Sequence, residues 1–152
     1  MSFYVYEMAY TGGSIPAEIP VLIPLSEPYF KQYRQIYNAC FYEMRKALGI
    51  EPYHVYADSA QFPDKKDSIF LLTDGGTVLG SVGCRGTEID DLIVNPQHQG
   101  RGYGRLLLAW AVNHIREYTD APVTLHAAEW NRKAVRLYTE TGFAVKRRIR
   151  IG

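Results

Sequence analysis

The chain has 152 residues, of which 47% are apolar and 22% charged, with 17 basic and 16 acidic side chains for a formal charge of +1. That length fits one compact domain, residues 1–152, able to bury roughly two-thirds of the surface its unfolded form exposes. The composition excludes a disordered tail, the near-neutral balance gives no field to gather nucleic acid or an anionic membrane, and no run of about 18 apolar residues is present to span a bilayer.

Cys40 and Cys84 have no metal or redox spacing, so both are expected to be reduced core residues with no metal site. The opening MSFYVYEMAY has no basic residue before Lys31 and is interrupted by Glu7, so a signal peptide is not expected and a cytoplasmic location is.

Residues 3 to 10 alternate around Tyr4, Tyr6 and Met8 until Thr11-Gly12-Gly13 breaks the run, which predicts a strand and a turn. Pro16, Pro20, Pro24 and Pro28 forbid a helix in the next segment, and Val21-Leu22-Ile23 reads as a short edge strand. From Ser26 the period becomes helical: Tyr29/Phe30, Tyr33, Ile36/Tyr37, Cys40/Phe41, Met44 and Ala47/Leu48 form one face, with Lys31, Arg34, Gln35, Asn38 and Lys46 opposite. Ser26 is expected to cap this helix and Gly49 to stop it. Residues 50 to 66 read as a loop with one helical turn near 56 to 61.

Ser68 to Thr73 and Thr77 to Cys84 are β-favouring runs joined by Asp74-Gly75-Gly76, a hairpin signal. Arg85-Gly86 turns the chain into a third strand, Thr87 to Val94, stopped by Asn95-Pro96. Leu106/Leu107, Trp110/Ala111, His114/Ile115 and Tyr118 mark a second long helix ending before Pro122. A short strand over Val123 to Ala127, a helix over Asn131 to Thr141 closed by Gly142, and strand-like pieces at Phe143 to Val145 and Arg148 to Ile151 complete the chain.

Between the third strand and the second long helix lies Gln99-Gly100-Arg101-Gly102-Tyr103-Gly104. Three glycines spaced two apart leave backbone N–H groups uncovered at a helix start, which suits a phosphate or pyrophosphate, and Arg101 and Arg105 add positive charge. A Walker loop requires Gly-Lys-Ser/Thr, which is absent; a dinucleotide fingerprint requires a different third-glycine spacing and parallel strands. A plain loop that starts a helix is the other reading of these residues.

This segment resembles the Gln/Arg-x-x-Gly-x-Gly/Ala signature of the GNAT superfamily of acyl-CoA N-acyltransferases. The similarity continues in Asn131-x-x-Ala134-x-x-Leu137-Tyr138-x-x-x-Gly142-Phe143, which is similar to the superfamily's second motif. It covers residues 87 to 143, whereas residues 1 to 66 agree only in gross layout, a strand and long helix before the sheet. The resemblance implies an α/β fold, a mixed and mostly antiparallel sheet with helices on both faces, and acetyl-CoA as cosubstrate.

It further implies that the pyrophosphate rests on backbone amides of Gln99, Gly100, Arg101, Gly102, Tyr103 and Gly104, beside Arg105. The pantetheine arm would run along Leu92, Ile93 and Val94, where a bulge frees main-chain groups and a splay from the strand at Val123 admits the cofactor. A backbone N–H near Ile93 or Val94 would stabilise the oxyanion. Asn131 is a helix cap and, by resemblance, an arm contact.

An alkyl amine with a pKa of about 10.4 must lose a proton before it attacks, so a base or water path is useful. Alternation places Glu88, Asp90 and Leu92 on one face and Ile89, Asp91 and Ile93 on the other. Glu88 or Asp90 is the expected base, and plain exposed carboxylates on an open strand are the alternative. Helical spacing reads Tyr138 as core, whereas its motif position implies a general acid for the departing thiolate. His126 could line the pocket, and Lys146, Arg147, Arg148 and Arg150 read as a solvated terminal strand. The reading is an acetyl-CoA-dependent N-acetyltransferase for a small-molecule amine or a peptide, with no nucleic-acid or membrane partner. A non-catalytic acyl-CoA-binding module and a homodimer through the first strand and aromatic helix stay open.

Overall fold

A computed structural model describes residues 2–18, 20–53 and 66–152; the helical turn expected near 56 to 61 lies outside them. Glycines set the hairpin turns. Gly75 and Gly76 both adopt positive φ, 56° and 85°, as the tight link between β3 (Ile69–Asp74) and β4 (Thr77–Arg85) requires. Gly86, φ 59°, turns β4 into β5 (Glu88–Val94). These three antiparallel strands are the expected scaffold.

A seven-stranded sheet forms in the order β2-β3-β4-β5-β6-β1-β7, adding β1 (Phe3–Tyr10), β2 (Ile23–Pro24), β6 (Val123–Ala128) and β7 (Ala144–Ile151). Every pairing is antiparallel except β5 with β6. Helix α1 (Phe30–Leu48) packs Tyr33, Ile36 and Tyr37 against Leu71, Val78 and Ile93 on one face. On the other face α2 (Tyr103–Arg116) buries Leu107, Leu108, Ala111, Val112 and Ile115, a stripe at helical spacing, and α3 (Arg132–Thr141) lies beside it. Truncating one of these fully buried leucines to alanine costs about 2–5 kcal/mol. The expected α/β layering is therefore present.

Several boundaries differ from expectation. Residues 27–29 form a 3₁₀ turn without a side-chain cap from Ser26, so α1 begins at Phe30; Gly49, φ 69°, ends it as expected. Arg34, expected on the polar face, is buried. The two strand-like pieces at the C-terminal side are one strand, β7, with an irregular register opposite Glu7 and Met8.

In the chain β1 precedes the β2–β5 strands, as expected; in the sheet it sits between β6 and β7, antiparallel to both, with Val5 opposite Ala128 on one side and Ile149 on the other. A cluster fastens it there: Arg148 donates two hydrogen bonds to Glu129, at 2.8 and 3.0 Å, Tyr6 donates its hydroxyl to the same carboxylate, and the Arg148 guanidinium lies 3.4 Å from the Tyr4 ring. To reach β2 at the opposite region of the sheet the chain crosses α2. Asn113 holds it by accepting from Ile15 N–H at 2.7 Å and donating to Ile15 C=O at 3.0 Å, while Arg116 donates to Gly12 C=O at 2.8 Å.

Candidate active site

Asp91 is the only described non-glycine residue with positive φ, 49°, and marks a bulge in β5. Ser81 pairs with Ile93 but Gly83 pairs with Asp90, so two residues of β5 oppose one of β4. The extra residue inverts the alternation. Ile89, Leu92 and Val94 pack with the α2 and α3 cluster, whereas Ile93 packs under α1. Ile89 and Ile93, expected on one face, therefore lie on opposite faces. Burial, reinforced by the negative charge of Asp91, raises the pKa of both Tyr37 on α1 and Tyr138 on α3.

Next to the bulge the sheet opens. Strands β5 and β6 register only at Glu88 and Thr124 and part beyond that pair. A cleft of about 560 Å³ occupies this part of the molecule, lined by Leu92, Ile93 and Val94 of β5, by Tyr138 of α3, and by Cys40 and Phe41 of α1. It thus takes walls from both helix layers.

The glycine-rich segment forms one end of the cleft. Gly100 and Gly102 adopt φ 80° and 85°, which bend the chain into α2 without Cβ strain. The first hydrogen bond into that helix runs from Leu106 N–H to Gly102 C=O, so the N–H groups of Tyr103, Gly104 and Arg105 have no partner within the helix, and no side chain caps it. Gln99 does not seal the bend: its amide donates to Val94 C=O at 3.2 Å. Gly104 lies against α3, where an added Cβ would come into ordinary contact with Leu137 at 3.4 Å. Bare N–H groups plus a helix N-terminus suit an anionic ligand, so the donor set fits a diphosphate.

Of the expected cofactor residues, Leu92, Ile93, Val94, Gln99, Gly100, Gly102, Tyr103, Gly104, Arg105 and Asn131 all line this cleft. Arg101 does not; its guanidinium donates to His98 Nδ1 at 3.3 Å. Arg105 is ion-paired with Glu140, which offsets part of its charge. Asn131 caps α3, its Oδ1 accepting from Ala134 N–H at 3.2 Å.

Tyr138 is 8% exposed and lines the cleft. Burial, reinforced by the negative charge of Asp91, pushes its hydroxyl up to about 12, so it stays a proton donor at neutral pH. The expected bases lie elsewhere. Asp90 folds its carboxylate over Gly83 and stands 3.7 Å from Arg85, and Glu88 lies at the start of β5 beside His126. Neither lines the cleft wall. His126 faces the opposite side of β6 from Leu125, outside the cleft lining.

Residue patterns did not single out Cys40, Phe41, Lys133 or Arg136 for this wall. Cys40, expected in the core, is half-buried here, and its thiol donates to Val94 C=O at 3.2 Å. Burial pushes that thiol up to about 11, which keeps it protonated and poorly nucleophilic. A signal for Lys133 and Arg136 was available: three residues apart, they share a polar helix face with Asn131 nearby. Among the described residues no group of three or more His, Cys, Asp or Glu is placed to hold a metal, and no helix is long and apolar enough to cross a membrane.

Residues 30–143 match the family model for acetyltransferases of the GNAT family. The chain is 43% identical over 51 residues to mycothiol acetyltransferase of Nocardia farcinica, covering 34% of this chain and 17% of that protein. It is 40% identical over 53 residues to spermidine N(1)-acetyltransferase of Vibrio cholerae, covering 34% of this chain and 31% of that protein. Both alignments span less than a third of the relative. In fold it is similar to a GNAT-family acetyltransferase from Novosphingobium aromaticivorans, with a TM-score of 0.72 at 18% identity over 99% of this chain and 63% of that one.

Proposed function

Since the chain belongs to the acetyltransferase (GNAT) family, we propose that it moves an acetyl group from acetyl-CoA to the primary amine of a small cationic molecule. The observation that carries this reading is the parting of β5 from β6 beside an uncapped helix N-terminus. The diphosphate would be held by the N–H groups of Gly100 to Arg105, aided by Lys133 and Arg136, and the arm by the bulged stretch Leu92 to Val94. Acetyl-CoA supplies the acetyl group as a thioester, already activated toward an amine.

The chain's own residues supply the proton traffic. Glu88, or Asp90, would accept a proton from the incoming ammonium through water, since neither carboxylate lines the cleft and the neutral amine is the nucleophile. Backbone N–H groups freed at the Asp91 bulge stabilise the carbonyl oxygen as it gains charge. Tyr138, buried and protonated, donates to the departing sulfur. Similarity to a spermidine acetyltransferase supports a small polyamine-like acceptor.

The test is a thiol-release assay with acetyl-CoA against diamines, polyamines, amino acids, aminoglycosides and peptides. Release stimulated by at least one small cationic amine is expected. Tight coenzyme A binding without release in the presence of any amine would overturn the proposal in favour of a binding module.

A further inference from the structure

On the sheet face opposite α2 and α3, four adjacent strands present charged side chains in one transverse row: Glu88 on β5, His126 on β6, Glu7 on β1 and Arg147 on β7. Leu125, Ala127 and Met8 point into the α2 and α3 core, so His126 and Glu7, their neighbours along the strands, point the other way. The core beneath α1 draws nothing from β1, β6 or β7, which leaves this part of the face without α1 cover. His126 Nδ1 lies 3.8 Å from the Glu88 carboxylate and its Nε2 lies 3.6 Å from that of Glu7, while Arg147 donates to Glu7 at 2.7 Å.

The row begins at the pair where β5 and β6 part, Glu88 with Thr124, and His126 stands two residues further along β6. From these positions we infer that His126 is a positioning and relay residue that carries the proton collected by Glu88 out to solvent. The inference rests on the acetyl transfer proposed above. Glu7 is already neutralised by Arg147, so His126 is not needed there as a counter-ion, whereas the ion-pair partner of Glu88 among the described residues is His126. Its side chain is 46% exposed, enough to rotate toward either carboxylate and to exchange with water.

The reaction leaves one proton to be carried to bulk water. An ammonium RNH₃⁺ and a thioester give an amide, a thiol and one proton: the C–N bond forms, the C–S bond breaks, Tyr138 protonates the sulfur and regains a proton from the amine, and the other amine proton goes to bulk water. The latter passes from the ammonium through water to Glu88, from Glu88 to one imidazole nitrogen, and from the other nitrogen to solvent, with Glu7 orienting the ring.

The experiment measures kcat, KM for the amine and coenzyme A affinity for the wild-type protein, His126→Gln, His126→Ala and His114→Gln, each with and without added imidazole. His114, a half-buried histidine stacked on Trp110, is the control. For both His126 variants a kcat loss on the order of tenfold or more is expected, with coenzyme A affinity unchanged. Imidazole should restore most of the loss in His126→Ala and do nothing for the wild type or His114→Gln. Unchanged kcat in the His126 variants, or a loss that imidazole leaves in place, overturns the relay while leaving the acetyltransferase reading intact. A wild-type protein that transfers to no amine overturns both.

Discussion

The Asp90 carboxylate crosses the backbone of Gly83, one oxygen standing where a side-chain carbon at residue 83 would have to be. A strand-centre glycine is thereby matched to a charged neighbour on the adjacent strand. Gly83→Ala must push Asp90 aside, at a cost of about 1–3 kcal/mol. Denaturant unfolding should show that loss as a lower midpoint, and Gly83→Ala combined with Asp90→Ala should recover a large part of it.

Tyr138→Phe keeps the ring in the core and removes only the proton. Turnover should fall on the order of 10²-fold, the usual contribution of a general acid, while coenzyme A affinity stays within about twofold by calorimetry. Because burial pushes the hydroxyl up to about 12, the protonated form persists well above the unfolded value of about 10. The kcat profile should therefore show no alkaline loss from this group below pH 10, and its contribution to stability is lost only as pH rises from there toward 12.

Gly102 holds φ 85° at the mouth of α2 with open space around it, so the cost of a side chain there is conformational rather than steric. Gly102→Ala should cost about 1–2 kcal/mol in that left-handed conformation. If the bend relaxes to avoid that cost, coenzyme A affinity falls about tenfold. Titration calorimetry reads the affinity and thermal unfolding the stability.

Glu129 is held down to about 2 by its two hydrogen bonds from Arg148 and by the Tyr6 hydroxyl. Its unfolded-state value is higher, near 4.5. The stabilisation it lends the β1 cluster is therefore complete above pH 4.5 and is lost as pH falls toward 2. Glu129→Gln should flatten the acid side of the stability curve over that window, measured by unfolding at a series of pH values.

Features set by neighbours in the chain were legible from residues alone. Asp74-Gly75-Gly76 announces its hairpin, Gly49 and Gly142 their helix ends, and Gln99 to Gly104 the bend into α2, because each depends on a backbone conformation that few residues adopt. Pairings set by distant neighbours were not. Residues 3 to 10 read as a strand, but nothing in them specifies β6 and β7 as partners. The faces of β5 were misread because period-2 alternation assumes an unbroken ladder, and Asp91 breaks it. Arg34 read as surface by type and is buried by its place on α1. Cys40 and Phe41 joined the cleft for a related reason: a helix period finds the buried stripe but not the point along it where the sheet beneath has opened.

The place of β1 also governs the order in which the molecule can assemble. Phe3 pairs with Ile151 and Tyr10 with Val123, among the longest sequence separations available to this chain. Contacts so non-local carry a high loop-closure entropy and form slowly. During synthesis β1 leaves the ribosome ahead of the other strands described and must wait for β6 and β7 before it has anything to pair with. Until then the β2–β5 meander and α1 can settle on their own, but β6 has no outer neighbour. Refolding should accordingly be biphasic, with the meander protected from amide exchange early and coenzyme A binding gained only in the late phase.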